Sequence, residues 1–189
     1  TFYAGKISYE ALAALSMSFP LYFIIVSAGI GIVAGCNSLI ANAIGTRNKI
    51  AASIYSYHSI IYGILISIVI TLIGIFFSYD LLKIMGNSRE TIFLAKEYTD
   101  IIFYGTIIFL ILTAFNSILY AQGDTKTYRN VLFFGVIANI ILNPVFIFGF
   151  LFIPAFGIAG LAISTIMIQF VACVYIFYKI RIQTKKPPH

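Results

Sequence analysis

Asn139 and Asn143 stand four residues apart in the run Asn139-Ile-Ile-Leu-Asn143-Pro144. In a helix that spacing puts both carboxamides on one face. Pro144 has no backbone N–H, so the carbonyl of Ile140 loses its helical donor. Together these groups form a cluster of oxygen acceptors suited to a cation or to the polar end of a solute, as at interrupted helices in transporters. The same residues also suit a kinked helix whose asparagines hydrogen-bond to neighbouring helices. Thr165 and Gln169 are likewise four apart. Facing the asparagine pair they would complete an oxygen-lined site; on their own they would serve as interhelical hydrogen-bonding groups.

Little else in the chain can do chemistry. No Asp, Glu, Lys or Arg lies deep in an apolar run, and no paired carboxylate, GxSxG run or His/Cys/Asp cluster occurs. We therefore expect no catalytic residue, no metal site and no cofactor. His58 falls near the end of an apolar run, where a partly solvated interfacial role is expected. Cys36 and Cys173 sit inside apolar stretches and are expected to pack as small hydrophobes. Ser27, Gly31 and Gly35 recur every four residues, so they line one helix face and would let another backbone approach closely, or would line a cavity.

The elements that must position these residues are membrane spans. The 189 residues are 61% hydrophobic and only 10% charged, with a mean hydropathy of +1.01. A soluble domain carries about 25% charged residues, so this chain has too little polar surface to face water. Runs long enough to cross a bilayer as helices cover 18–44, 52–79, 99–121, 130–152 and 157–179. The expected fold is all-α, a polytopic bundle of five spans forming one transmembrane domain over 1–189. Continuous rather than alternating apolar runs exclude a strand barrel. Gly86-Asn87-Ser88 marks a turn, and Ser88 with Thr91 starts an amphipathic lead into the third span. Pro20 reads as the opening of the first span, and Asn116 and Gln122 as caps or loop contacts at the end of the third.

Charge gives an orientation. Arg47, Lys49, Lys126, Arg129, Lys179, Arg181, Lys185 and Lys186 fall on one side, against the single acid Asp124. Lys6, Lys83, Arg89 and Lys96 fall on the other, among Glu10, Asp80, Glu90, Glu97 and Asp100. Lys/Arg excess marks the cytoplasmic side, which places the N-terminus outside and the C-terminus inside. The net charge of +6 is thus a topology signal. It forms no basic face with interleaved aromatics, so no nucleic-acid partner is expected.

The stretches Tyr120-Ala-Gln-Gly-Asp-Thr-Lys-Thr127, Asn139-x-x-x-Asn143-Pro144-x-Phe-Ile-Phe-Gly149 and Gly157-Ile-Ala-Gly160-Leu-Ala-x-Ser-Thr165 are specific in combination. Together they resemble the N-terminal lobe of the multidrug and toxic compound extrusion (MATE) family. Gly5-Lys-Ile-Ser-Tyr-Glu-Ala-Leu-Ala-Ala14 looks like that family's first outward loop, and Gly29-Ile-Gly31 through Ile44-Gly45 like its second helix and the loop after it. The resemblance implies helices two to six of a lobe, a fragment lacking the first helix and the whole second lobe. It also implies a cation-coupled antiporter (Na⁺ or H⁺) that exports xenobiotic, cationic amphipathic, drug-like compounds across the plasma membrane, or the inner membrane of a Gram-negative cell. One branch of the family holds its cation with an Asp on helix one, an Asn and an Asp on helix five and a Thr on helix six. Asn139 and Thr165 match two of these. Asn143 stands where the helix-five Asp would be, which removes a proton carrier and weakens binding of a hard cation. Two other readings remain at this stage. One is a lipid-linked oligosaccharide flippase of the same superfamily, disfavoured by the lack of basic residues at depth. The other is a membrane fragment or scaffold without transport activity.

Overall fold

Four of the five long helices begin where a short polar side chain takes over a backbone N–H that the helix leaves unpaired. In a computed structural model, which describes residues 3–85, 88–150 and 154–185, a short helix α1 (Ala4–Ile7) is followed by α2 (Tyr9–Gly45), α3 (Lys49–Met85), α4 (Arg89–Ala121), α5 (Thr125–Phe148) and α6 (Ile158–Lys185). Ser8 caps α2 by accepting from the Ala11 N–H, and Asn48 accepts from the Ala51 N–H at the start of α3. Ser88 accepts from the Thr91 N–H at the start of α4, and Asp124 from the Thr127 N–H and hydroxyl at the start of α5. These are the residue types that compete best for a helix N-terminus. Arg47, with φ of 57°, and Gly123, with φ of 82°, make the tight reversals after α2 and α4.

Five helices among the described residues are long and apolar enough to cross a membrane. Each expected span falls on one of these helices, but the bounds differ: α2, α3 and α4 outrun theirs, and α5 ends at Phe148, short of residue 152. Helix α2 starts at Tyr9 rather than at 18, so Pro20 lies inside it and does not open it. Helix α4 starts at Arg89 rather than at 99, because the Ser88 cap and a Lys96–Asp100 ion pair of 2.7 Å carry the helix through its polar first turns. At 37 residues, α2 and α3 are each about 55 Å long, nearly twice the hydrocarbon thickness, so they tilt or project beyond it. The expected turn at Gly86-Asn87, residues 151–152 of the fourth span and Lys186 lie outside the described residues.

Helix α4 is the column around which the others stand. Two-thirds of its most apolar window (67%) is buried, against 6% for α5. It packs against α2, α3 and α6, whereas α5 packs chiefly on α6 and only grazes α4. One apolar cluster runs from Ala11, Leu21 and Ile25 of α2 to Phe103 and Leu110 of α4 and Leu161 of α6. A second gathers Ile40, Leu112, Phe115 and Ile176, with Cys36 and Cys173 packed at its edge as small hydrophobes. Both thiols are free.

Among the described residues the small-residue stripe does not pack helices together. Ser27, Gly31 and Gly35 are exposed, and a Cβ at Gly31 or Gly35 would meet nothing within 4 Å. The close approach occurs at Gly29 instead, where a Cβ would lie 3.1 Å from Thr113 and 3.2 Å from Phe109. Two residues further along a helix is a rotation of about 200°, so Gly29 and Gly31 look to opposite sides. That is why spacing identified a face but not its neighbour.

Candidate functional site

Helix α5 carries the asparagine pair through Pro144 without leaving the helical state; Thr125–Phe148 is one helix with the proline inside it. The carboxamides behave differently. Asn139 turns back on its own helix, its Nδ2 donating to the carbonyl of Gly135 at 3.1 Å. Asn143 reaches across to α6, where its Oδ1 accepts a short hydrogen bond from the Ser164 hydroxyl. Ser164 is fully buried and both asparagines are half-buried. The carbonyl of Ile140, left without a donor by Pro144, is met by the hydroxyl of Tyr3 at 3.0 Å.

Thr165 and Gln169 do not join this cluster through any hydrogen bond among the described residues. The Thr165 hydroxyl donates to the carbonyl of Leu161 at 2.8 Å, inside its own helix. Both residues line a small cavity between α2, α4 and α6, beside Tyr22, Thr106 and Phe109. Its volume of about 20 Å³ holds roughly one water. The residue that answers Asn143 is Ser164, one position before Thr165. The signal in the sequence is its spacing: Ser164 stands four residues after Gly160, on the same helix face.

That approach has a visible cause. Gly160 lies against the backbone of α5, where an added Cβ would sit 2.5 Å from the carbonyl oxygen of Phe146. The Phe156 N–H donates to that same oxygen at 3.0 Å, and the Gly157 N–H to the carbonyl of Ile147 at 3.2 Å. The last turns of α5 are therefore fixed to the start of α6 by backbone groups. Further along the pair, α5 and α6 diverge and leave an open, mainly apolar cleft of about 490 Å³ lined by Phe134, Gly135, Leu142, Met167 and Val171. Gly135, whose carbonyl accepts from Asn139, belongs to its wall.

Two further amides are buried away from α5. Asn116 is no cap: it is 4% exposed in the middle of α4's buried face, and its Oδ1 has no hydrogen-bond partner among the described residues. The Oδ1 of Asn37 on α2 is likewise buried with no partner among them. His58 lies exposed on α3 between Tyr57 and Tyr62, its Nδ1 2.8 Å from the carbonyl of Ile54. Among the described residues no group of His, Cys, Asp and Glu could hold a metal ion.

A family model described as MatE matches residues 1–145. The chain belongs to that family, the one its Asn139–Asn143–Pro144 run resembles. It is similar to a Bacillus subtilis protein named "Probable multidrug resistance protein YoeA", 33% identical over 158 residues that cover 84% of this chain and 34% of that protein. It is also similar to an "FAD transporter" of Shewanella oneidensis, 29% identical over 172 residues, covering 91% of this chain and 38% of the relative. Among solved structures, a transporter of the MOP superfamily from Pyrococcus furiosus superposes with a TM-score of 0.89 at 28% identity, over 98% of this chain and 40% of that one. The chain thus has the fold of part of a MATE transporter and spans well under half the length of these relatives. With five apolar helices and this family, it is a multi-pass membrane protein, of the plasma membrane as bacterial MATE transporters are.

Proposed function

We propose that these residues form most of one lobe of a cation-coupled antiporter that exports cationic amphipathic compounds. The reading is carried by α5. There the amides of Asn139 and Asn143 and the Pro144-freed carbonyl of Ile140 stand on one helix above an apolar cleft wide enough for a drug-sized ring system. Amide and carbonyl oxygens ligate Na⁺ or an ammonium group without requiring a carboxylate, and apolar walls take up the rest of an amphipathic solute. Asn139 and Asn143 are the proposed ligands. Thr165 and Gln169, beside their water-sized cavity, are proposed to join them when α6 shifts. The exposed Ser27–Gly31–Gly35 face is left for a segment outside this chain, a first helix and a second lobe, to cover. Chemistry on the solute is not part of this reading. The charge asymmetry supports a cytoplasmic C-terminus.

The experiment is efflux of a cationic dye from proteoliposomes holding the full-length protein, under an imposed Na⁺ gradient, an imposed H⁺ gradient, or neither. One gradient is expected to drive dye movement. Dye release at the protein-free rate under both gradients would end the exporter reading. Movement of a flavin dinucleotide or a lipid-linked pyrophosphate instead would reassign the substrate class.

A further inference from the structure

We propose that Tyr3 is a positioning residue for α5: its hydroxyl supplies the hydrogen bond that Pro144 withholds, and so latches the segment leading into α2 to the helix that carries the asparagine pair. In an unbroken helix the carbonyl of Ile140 would accept from the N–H of residue 144. Residue 144 is proline and has none to give. The Tyr3 hydroxyl, 137 residues away in sequence, stands 3.0 Å from that oxygen. No other carbonyl in α5 is deprived in this way, because Pro144 is the helix's only proline.

The position of the bond gives it consequence. Ile140 lies between Asn139, which turns back to Gly135, and Asn143, which is held by Ser164. Helix α5 is the least buried of the long helices and leans chiefly on α6. Tyr3 gives it a second anchor, from the side where the chain enters α2. An unsatisfied carbonyl facing hydrocarbon is expensive, so the bond is favoured wherever water is excluded. When it breaks, α5 can bend at Pro144, and the presentation of both asparagines changes with it. Displacement of the segment before α2 is thereby coupled to the geometry of the α5 amides. This device does not depend on what the protein transports.

The test uses amide hydrogen exchange, read by mass spectrometry over 139–148, on the full-length protein in lipid nanodiscs. Tyr3→Phe removes one oxygen and is expected to speed exchange there about tenfold, the effect of leaving one acceptor unsatisfied. Pro144→Ala restores a backbone donor for Ile140, so adding Tyr3→Phe to it is expected to change the rate less than about twofold. Tyr3→Phe without effect in the Pro144 protein, or with equal effect in both backgrounds, overturns the proposal. A second measurement needs no proline variant. With Cys36 and Cys173 replaced, Tyr3→Cys and Ile140→Cys are expected to be joined in membranes by a short bifunctional maleimide. Failure to cross-link while each single cysteine is labelled would also overturn it. Neither readout follows transport, so the exporter reading and the latch can fail separately.

Discussion

Replacing Gly160 with alanine adds one methyl group at a close backbone approach between α5 and α6. The new Cβ would lie 2.5 Å from the oxygen and 2.6 Å from the carbon of the Phe146 carbonyl, and 2.9 Å from the nitrogen of Ile147. Ordinary contact begins near 3.4 Å, so the helices must part by close to an ångström. No rotamer change relieves this, because all three atoms are backbone. Overpacking of this kind costs about 1–3 kcal/mol. The parting also strains the two backbone bonds from Phe156 and Gly157, each worth about 1 kcal/mol. A total near 3 kcal/mol lowers the melting temperature of a chain this size by roughly 6–12 °C. Cys36 and Cys173 pack at the edge of an apolar cluster and report unfolding through a thiol-reactive dye in detergent. The same displacement pulls Asn143 away from Ser164, so dye efflux is expected to fall as well. A Gly160→Ala protein that melts with the parent and transports normally would refute the reasoning, since α5 would then slide on α6 at no cost.

Further substitutions bear on the same architecture. Gly31→Ala and Gly35→Ala, made in the 189-residue chain, are expected to leave its stability unchanged or raise it by up to about 1 kcal/mol, because alanine is the better helix former and the added Cβ meets nothing; a lowered melting temperature would show a neighbour there. Ser164→Ala is expected to cost about 1 kcal/mol and, in a cycle with Asn143→Ala, to give less than additive losses; strict additivity would mean the α5–α6 side-chain bond contributes nothing.

The spans were legible because hydropathy is summed over many residues and tolerates local exceptions. Helix starts were less legible. Tyr9 and Arg89 begin their helices well before the apolar runs, since a serine cap with an acid in the first turn suffices to extend each helix into polar sequence. At the site, the deprived carbonyl of Ile140 could be read from Pro144 alone. Its donor could not, because Tyr3 reaches it across 137 residues of chain and no local pattern encodes such a pairing. Helical spacing placed Asn139 with Asn143 and Thr165 with Gln169, yet it could not fix how α6 is rotated against α5. That rotation is set by Gly160 seated on the Phe146 carbonyl, and it brings Ser164 rather than Thr165 to Asn143.

The most direct test of the central claim is Asn139→Ala in the full-length protein, assayed for gradient-driven dye efflux in proteoliposomes at matched protein content. Coupled efflux is expected to fall while passive dye leakage stays at the parent level. Unchanged coupled efflux in a folded variant would contradict it and remove the α5 amides from the transport site.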